Sequence, residues 1–192
     1  NHILLISLPA LCGDGAGVKN LIREISQAYT ACTDQQELTD EPLQYADIAT
    51  WQNELLNAEE SETAKRYWQK QDIAEALTVK LPYERSIATS FQPHVFSVTI
   101  DPKLVTSIAQ FTETHGSSTE TFLLTCWQIL LWRLTGQSKV LVNTAFSGRK
   151  YEELESAIGT FVKYLPLQYH LADQSQFIDV LRQIDELRHE AY

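Results

Sequence analysis

Between Pro9 and Gly15 the chain reads PALCGDG, which sets a thiol (Cys12) and a carboxylate (Asp14) on either side of Gly13. The stretch follows an apolar run, HILLISLP, and precedes Val18, Leu21, Ile22, Ile25, Ala28 and Tyr29 at helical spacing. A glycine-rich turn between a strand and a helix admits three uses: it can cradle a phosphate, present a catalytic side chain, or reverse the chain. A thiolate at a helix N-terminus can be activated as a nucleophile, which is one reading of Cys12. The plainer reading is a small core residue between Leu11 and Gly13. A carboxylate at such a turn gains from free backbone N–H groups and from the helix dipole, so Asp14 reads as structural before it reads as catalytic.

The phosphate reading makes demands the sequence does not meet. A dinucleotide-binding unit needs a second buried strand directly after the helix, ending in an acidic residue for the ribose. Here the helix runs into TDQQELTDEPLQYAD, which is polar. The glycine spacing of GDGAG lacks the later glycine of that fingerprint, and no Walker lysine pattern is present. A nucleotide-binding module is therefore the distant alternative. The histidines (His2, His94, His115, His170 and His189) are not placed near the loop by sequence and read as surface or half-buried polar residues. Trp51, Trp68, Trp127 and Trp132 fall at helical positions and read as core. No Cys/His group has metal-ligand spacing.

The elements that must position these residues follow from periodicity. HILLISLP is short and nearly all apolar, as in a strand buried on both faces. A helix is expected from Gly17 to about Cys32, a second from about Ala46 through Trp51 and Leu55, and a third over SETAKRYWQKQDIAEAL with Ser61 as N-cap. KLPYERSIATSFQP, broken by Pro82 and Pro93, reads as a crossing segment, and HVFSVTI alternates as a strand. PKLVTSIAQFTETHG is a helix with Pro102 in its first turn and Gly116 past its end. STETFLLTCWQILLWRLTG has a capping-box spacing from Ser117 to Glu120, with Ser118 to Thr121 as the weaker match, and is apolar nearly all round, which predicts a central buried helix. KVLVNTAF and LPLQYHL read as strands, and SQFIDVLRQIDELRHEAY as a closing amphipathic helix. Alternating strands and helices imply an α/β layered architecture.

Composition excludes other classes. The 192 residues are 44% hydrophobic and 21% charged, a globular balance. A net charge of −10 argues against nucleic acid and anionic membrane surfaces as partners. The longest apolar run, Thr121 to Leu134, is too short to span a bilayer and contains Gln128 and Arg133. Three separated cysteines, Cys12, Cys32 and Cys126, favour reduced thiols and a cytoplasmic setting. The chain opens inside an apolar run and closes inside an amphipathic one, which leads to the expectation of a piece of something larger.

Three stretches taken together carry a family resemblance: PALCGDG (Pro9 to Gly15), YADIATW (Tyr45 to Trp51) and IGTFVKYLPLQ (Ile158 to Gln168). In order and spacing they resemble the His-His-x-x-x-Asp-Gly, Tyr-x-Asp-Tyr-Ala-x-Trp and Ile-Gly-x-Phe-Val-Asn-x-x-x-x-Arg segments of the condensation domains of nonribosomal peptide synthetases. The resemblance implies a partial chloramphenicol acetyltransferase-like fold of two lobes, with residues 1–85 ending the first lobe and 86–192 starting the second. It implies a tunnel to which carrier proteins bring acyl or aminoacyl thioesters on phosphopantetheine arms, so that no cofactor is bound by the chain itself. Partners are carrier domains, adjacent synthetase modules, and the remainder of the domain or a second copy. The departures are specific. The histidine pair falls on Pro9 and Ala10, while Asp14 and Gly15 are kept; the later Asn and Arg fall on Lys163 and Gln168. In the family the second histidine assists attack of the acceptor amine, which alanine cannot do. The resemblance thus leaves no catalytic side chain assigned, pairs Asp14 with Arg149 in a structural salt bridge, and makes Ala10, Ser147, Gly159 and Phe161 tunnel candidates. It points to a degenerate or non-canonical condensation region, with an active acyltransferase working by another base or by positioning alone as the alternative.

Overall fold

A computed structural model describes residues 3–37, 43–71, 73, 80–82 and 93–192. The chain divides into two compact units, one of Asn1–Lys70 with Ala145–Tyr164 and the other of Gln71–Thr144 with Leu165–Tyr192. The expected lobe boundary at 85/86 lies outside the described residues.

In the first unit, α1 runs Gly15–Thr33 and α2 Tyr45–Asn57, followed by a 3-10 turn at Glu59–Ser61 and α3, Glu62–Gln69. Asp14 starts α1 with its side chain accepting the Gly17 N–H, the arrangement a short polar residue before a helical run favours. Ser61 does not cap α3 through its side chain; its hydroxyl instead donates to the Leu56 and Ala58 carbonyls within the preceding turn. A second 3-10 turn, Glu152–Leu154, lies in the returning segment. The core is Ile48, Leu154, Ala157 and Phe161, with Trp51 packed against it.

The second unit holds α4, Pro102–Thr114, α5, Thr119–Thr135, and α6, Phe177–Ala191. Two strands, β1 (Lys139–Phe146) and β2 (Lys163–His170), form a two-stranded sheet. The pairing is antiparallel, because the Leu171 N–H just past the end of β2 donates to the Ser138 carbonyl just before β1. Val140, Tyr169, Leu171, Val180 and Ile184 form the core. Phe111, Phe122 and Phe177 bring α4, α5 and α6 together through ring contacts at 5.3–6.1 Å. Among the described residues no helix is long and apolar enough to cross a membrane.

Several expectations are corrected. Neither the run from Ile3 to Pro9 nor the alternating stretch 94–100 forms a strand. Ile3, Leu5, Val95 and Phe96 stand 89–96% exposed. A strand exists only when a neighbour takes up its backbone donors and acceptors, and neither stretch has a ladder partner among the described residues. The central helix is not buried all round: α5 buries Thr121, Thr125 and Gln128, while Leu123, Trp127, Leu130 and Leu134 are about half exposed. Trp127 is therefore not core. The cap of α5 is Ser118 rather than Ser117; the Ser118 hydroxyl accepts the Thr121 N–H at 3.1 Å. Thr121 in turn donates to Asp185 of α6 at 2.6 Å, so this buried hydroxyl is satisfied across the helix pair.

Candidate functional site

The loop from Pro9 to Gly15 is held by backbone and carboxylate together. The Cys12 N–H closes a turn on the Pro9 carbonyl at 2.9 Å, and the Asp14 N–H donates to the Gly159 carbonyl at 3.2 Å. The Asp14 carboxylate accepts five hydrogen bonds. Oδ1 takes the Gly17 N–H at 2.7 Å and Arg149 Nη2 at 3.2 Å. Oδ2 takes Arg149 Nη1 at 2.8 Å and the N–H groups of Phe161 and Val162 at 2.9 and 3.0 Å. The ion pair is bidentate and dry, its Arg149 and Asp14 side chains being 3% and 7% exposed. Burial alone would raise the Asp14 pKa; Arg149 and the three backbone donors outweigh it and hold the carboxyl well below the usual carboxylate range. Arg149 also donates to the Ala157 carbonyl at 3.2 Å and stacks over the Phe161 ring at 4.3 Å.

This geometry closes the phosphate reading of the glycine turn. The Gly17 N–H at the start of α1 is already taken by a carboxylate, and that carboxylate's charge is matched by Arg149. Among the described residues no group of three His, Cys, Asp or Glu is placed to hold a metal.

Two glycines make the close approach possible. A Cβ on Gly148 would fall 1.8 Å from the Phe161 carbonyl oxygen, and its φ of +68° is one that side-chain-bearing residues avoid. A Cβ on Gly159 would fall 2.2 Å from the Tyr45 ring. Tyr45 packs edge-on against Phe161 and donates its hydroxyl to the Thr160 carbonyl at 3.1 Å. The Thr160 hydroxyl reaches the Ala10 and Leu11 carbonyls at 3.3 and 3.1 Å. All three motif stretches therefore meet at one place within the first unit.

An open cavity of about 750 Å³ lies against this frame, lined by Ala10, Asp14, Lys19, Ser147, Arg149, Thr160 and Tyr164 among others. Ala10 and Ser147 thus face the cavity, whereas Phe161, 2% exposed, and Gly159, packed against Tyr45, are not among its lining residues. Cys12 is exposed rather than a core residue. No histidine is among the residues lining the cavity, His2 lying outside the described residues. Lys163 is exposed at the start of β2.

Sequence reasoning passed over Asn20, Tyr45 and Thr160 as individual site residues. Asn20 is 7% exposed and its amide donates to the Glu155 and Ala157 carbonyls at 2.8 and 3.1 Å, tying α1 to the segment that carries Phe161. A polar residue inside the apolar-spaced stretch of α1 is the only signal that marks it in advance.

A family model described as "Condensation domain" matches residues 1–192. The chain is 28% identical over 193 residues to bacitracin synthase 3 of Bacillus licheniformis, and 28% identical over 193 residues to tyrocidine synthase 3 of Brevibacillus parabrevis. Each match covers 100% of this chain but only 3% of the relative. Among solved structures, the SgcC5 protein of Streptomyces globisporus is similar with a TM-score of 0.76 at 22% identity, over 95% of this chain and 42% of that one. The first condensation domain of the calcium-dependent antibiotic synthetase is similar with a TM-score of 0.77 at 18% identity, over 94% and 42%. The fold is thus the partial chloramphenicol acetyltransferase-like fold, and the chain spans a small fraction of the curated relatives it matches. It belongs to the condensation-domain family, that of the nonribosomal peptide synthetases.

Proposed function

We propose that this chain is a condensation region whose frame is retained and whose acid–base group is lost, and that it receives or organises acyl and aminoacyl thioesters carried on the phosphopantetheine arms of partner carrier domains. The observation that carries the reading is the pairing of a fully bonded Asp14 with a cavity that opens at Ala10 and has no imidazole on its wall. Asp14 acts here as structure. All of its lone-pair directions are engaged and Arg149 neutralises it, so it is not available as a base for an incoming amine. Ala10, Ser147, Gly159 and Phe161 belong to the substrate tunnel in different ways, Ala10 and Ser147 as wall and Gly159 and Phe161 as support. On this reading residues 1–85 close the first lobe and 86–192 open the second, the parent protein works in the cytoplasm, and adjacent modules deliver and remove its substrates.

A second reading is favoured by the hydroxyls that share the cavity with Ala10. Ser147, Thr160 and Tyr164 are polar groups able to orient a nucleophile, and positioning with exclusion of water can accelerate acyl transfer without a dedicated base. The two readings part in one experiment. The parent protein is given aminoacyl and peptidyl carrier substrates, and amide product is followed by mass spectrometry. Little product is the result expected of the first reading; efficient amide formation that depends on Ser147, Thr160 or Tyr164 would establish the second.

A further inference from the structure

The first unit has a second hollow, which shares no lining residue with the cavity at Ala10. It measures about 400 Å³ and lies between α2 and the 3-10 turn at Glu152–Leu154. Ile48 and Leu154, 3% and 4% exposed, supply its apolar floor. Trp51 and Tyr151 wall it with ring centroids 5.1 Å apart and planes at 75°, so that two aromatic faces meet at nearly a right angle. Asp47, from α2, and Glu153, from the turn, stand at its edge. Both carboxylates are exposed and neither has an ion-pair or hydrogen-bond partner for its side chain among the described residues.

We propose that this hollow is a receptor for an arginine side chain presented by an apolar-flanked segment of a partner polypeptide. Each part of that side chain has its counterpart. The three-carbon stem lies along the apolar floor, as such stems do on apolar surfaces. The planar guanidinium stacks on an aromatic face, and its fork of donors reaches carboxylates on two separate elements. A lysine ammonium is compact and strongly hydrated and has neither the planar face to stack nor the fork of donors to engage two carboxylates at once. Leu43, 45% exposed at the margin, offers contact to an apolar neighbour of the arginine. The chain's net charge of −10 adds long-range attraction toward a basic segment and none toward an acidic one. The proposal stands apart from the reading of the loop at Ala10 and survives or fails without it.

Saturation-transfer NMR on the parent protein tests it, with acetyl-Leu-Arg-Leu-amide as probe and its norleucine counterpart as control. The arginine peptide is expected to bind saturably in the millimolar range and about fivefold more tightly than the control, the scale of exposed charge and ring interactions. In the double variant Asp47→Asn, Glu153→Gln that preference is expected to disappear while cooperative thermal unfolding is kept, lowered only slightly by loss of the Asp47 charge in the first turn of α2. Equal binding of the two peptides would reduce the hollow to an apolar groove and overturn the proposal. So would an arginine preference that persists in the double variant, or an absence of saturable binding.

Discussion

Asp14 shows how one side chain gathers separate parts of the chain around a single turn. Five donors converge on it from the first turn of α1, from Arg149 and from the Phe161–Val162 backbone. Removing the charge leaves Arg149 buried and unpaired, so Asp14→Asn is expected to cost about 3–5 kcal/mol of stability in urea unfolding, well above a surface pair. The pH dependence has a definite sign. Because the folded-state pKa is depressed, the contribution of Asp14 is complete above the ordinary carboxylate value of about 4 and fades as pH falls below it. The unfolding free energy of Asp14→Asn is therefore expected to fall less steeply than that of the parent on acidification below about pH 4. Thr160 gives a second test at this scale. Its hydroxyl ties the Ala10–Leu11 backbone to the third motif, so Thr160→Val is expected to raise hydrogen exchange in residues 10–13 while Thr160→Ser restores it. Restoration by valine instead would make the contact one of packing. Sequence marks Asp14 as a carboxylate at a helix start. It does not mark Thr160 or Asn20, because their partners are backbone carbonyls 135–150 positions away that no side-chain pattern announces.

At the scale of elements, what was legible depended on where each element finds its hydrogen bonds. The spacing of Val18, Leu21, Ile22 and Ile25 identifies α1 because a helix bonds within itself. HILLISLP and HVFSVTI carry strand patterns of equal clarity, yet a strand is completed only by a neighbour. KVLVNTAF and LPLQYHL succeed because β1 and β2 supply each other. The misreading of α5 has another cause. Its buried residues are polar, Thr125 bonding back to the Thr121 carbonyl at 2.8 Å, so the apolar residues that suggested burial all round are not the ones the helix buries. Gln128 on this helix is fully buried, and neither amide atom has a hydrogen-bond partner among the described residues. An apolar residue of similar size removes a desolvation cost without breaking a bond, so Gln128→Leu or Gln128→Met is expected to leave the melting temperature unchanged or raise it by a few degrees. A loss of several degrees in calorimetry would show that the amide has a partner, such as bound water.

At the scale of the whole molecule, apolar surface stands open in both units. Ile3 and Leu5 in the first, Val95 and Phe96 in the second, and the half-exposed Leu123, Trp127, Leu130 and Leu134 of α5 are more than a self-contained domain leaves to water. The chain alone is expected to self-associate in light scattering, and a monomer with cooperative unfolding would contradict this. This chain matches 42% of the length of the similar solved domains. The family was legible from three short motifs in order, none of which suffices alone. Their convergence around Ala10 was not, since it rests on contacts between residues far apart in sequence. The central claim is that the frame at this point is intact and lacks only the imidazole. Single-turnover amide formation from carrier-bound substrates, compared between the parent protein and its Ala10→His variant (with Pro9→His as a companion change), tests it most directly. The histidine variant is expected to be faster by about 10² to 10⁴, the usual contribution of general acid–base catalysis. A parent protein that already forms amide efficiently and gains nothing from the histidine would contradict it.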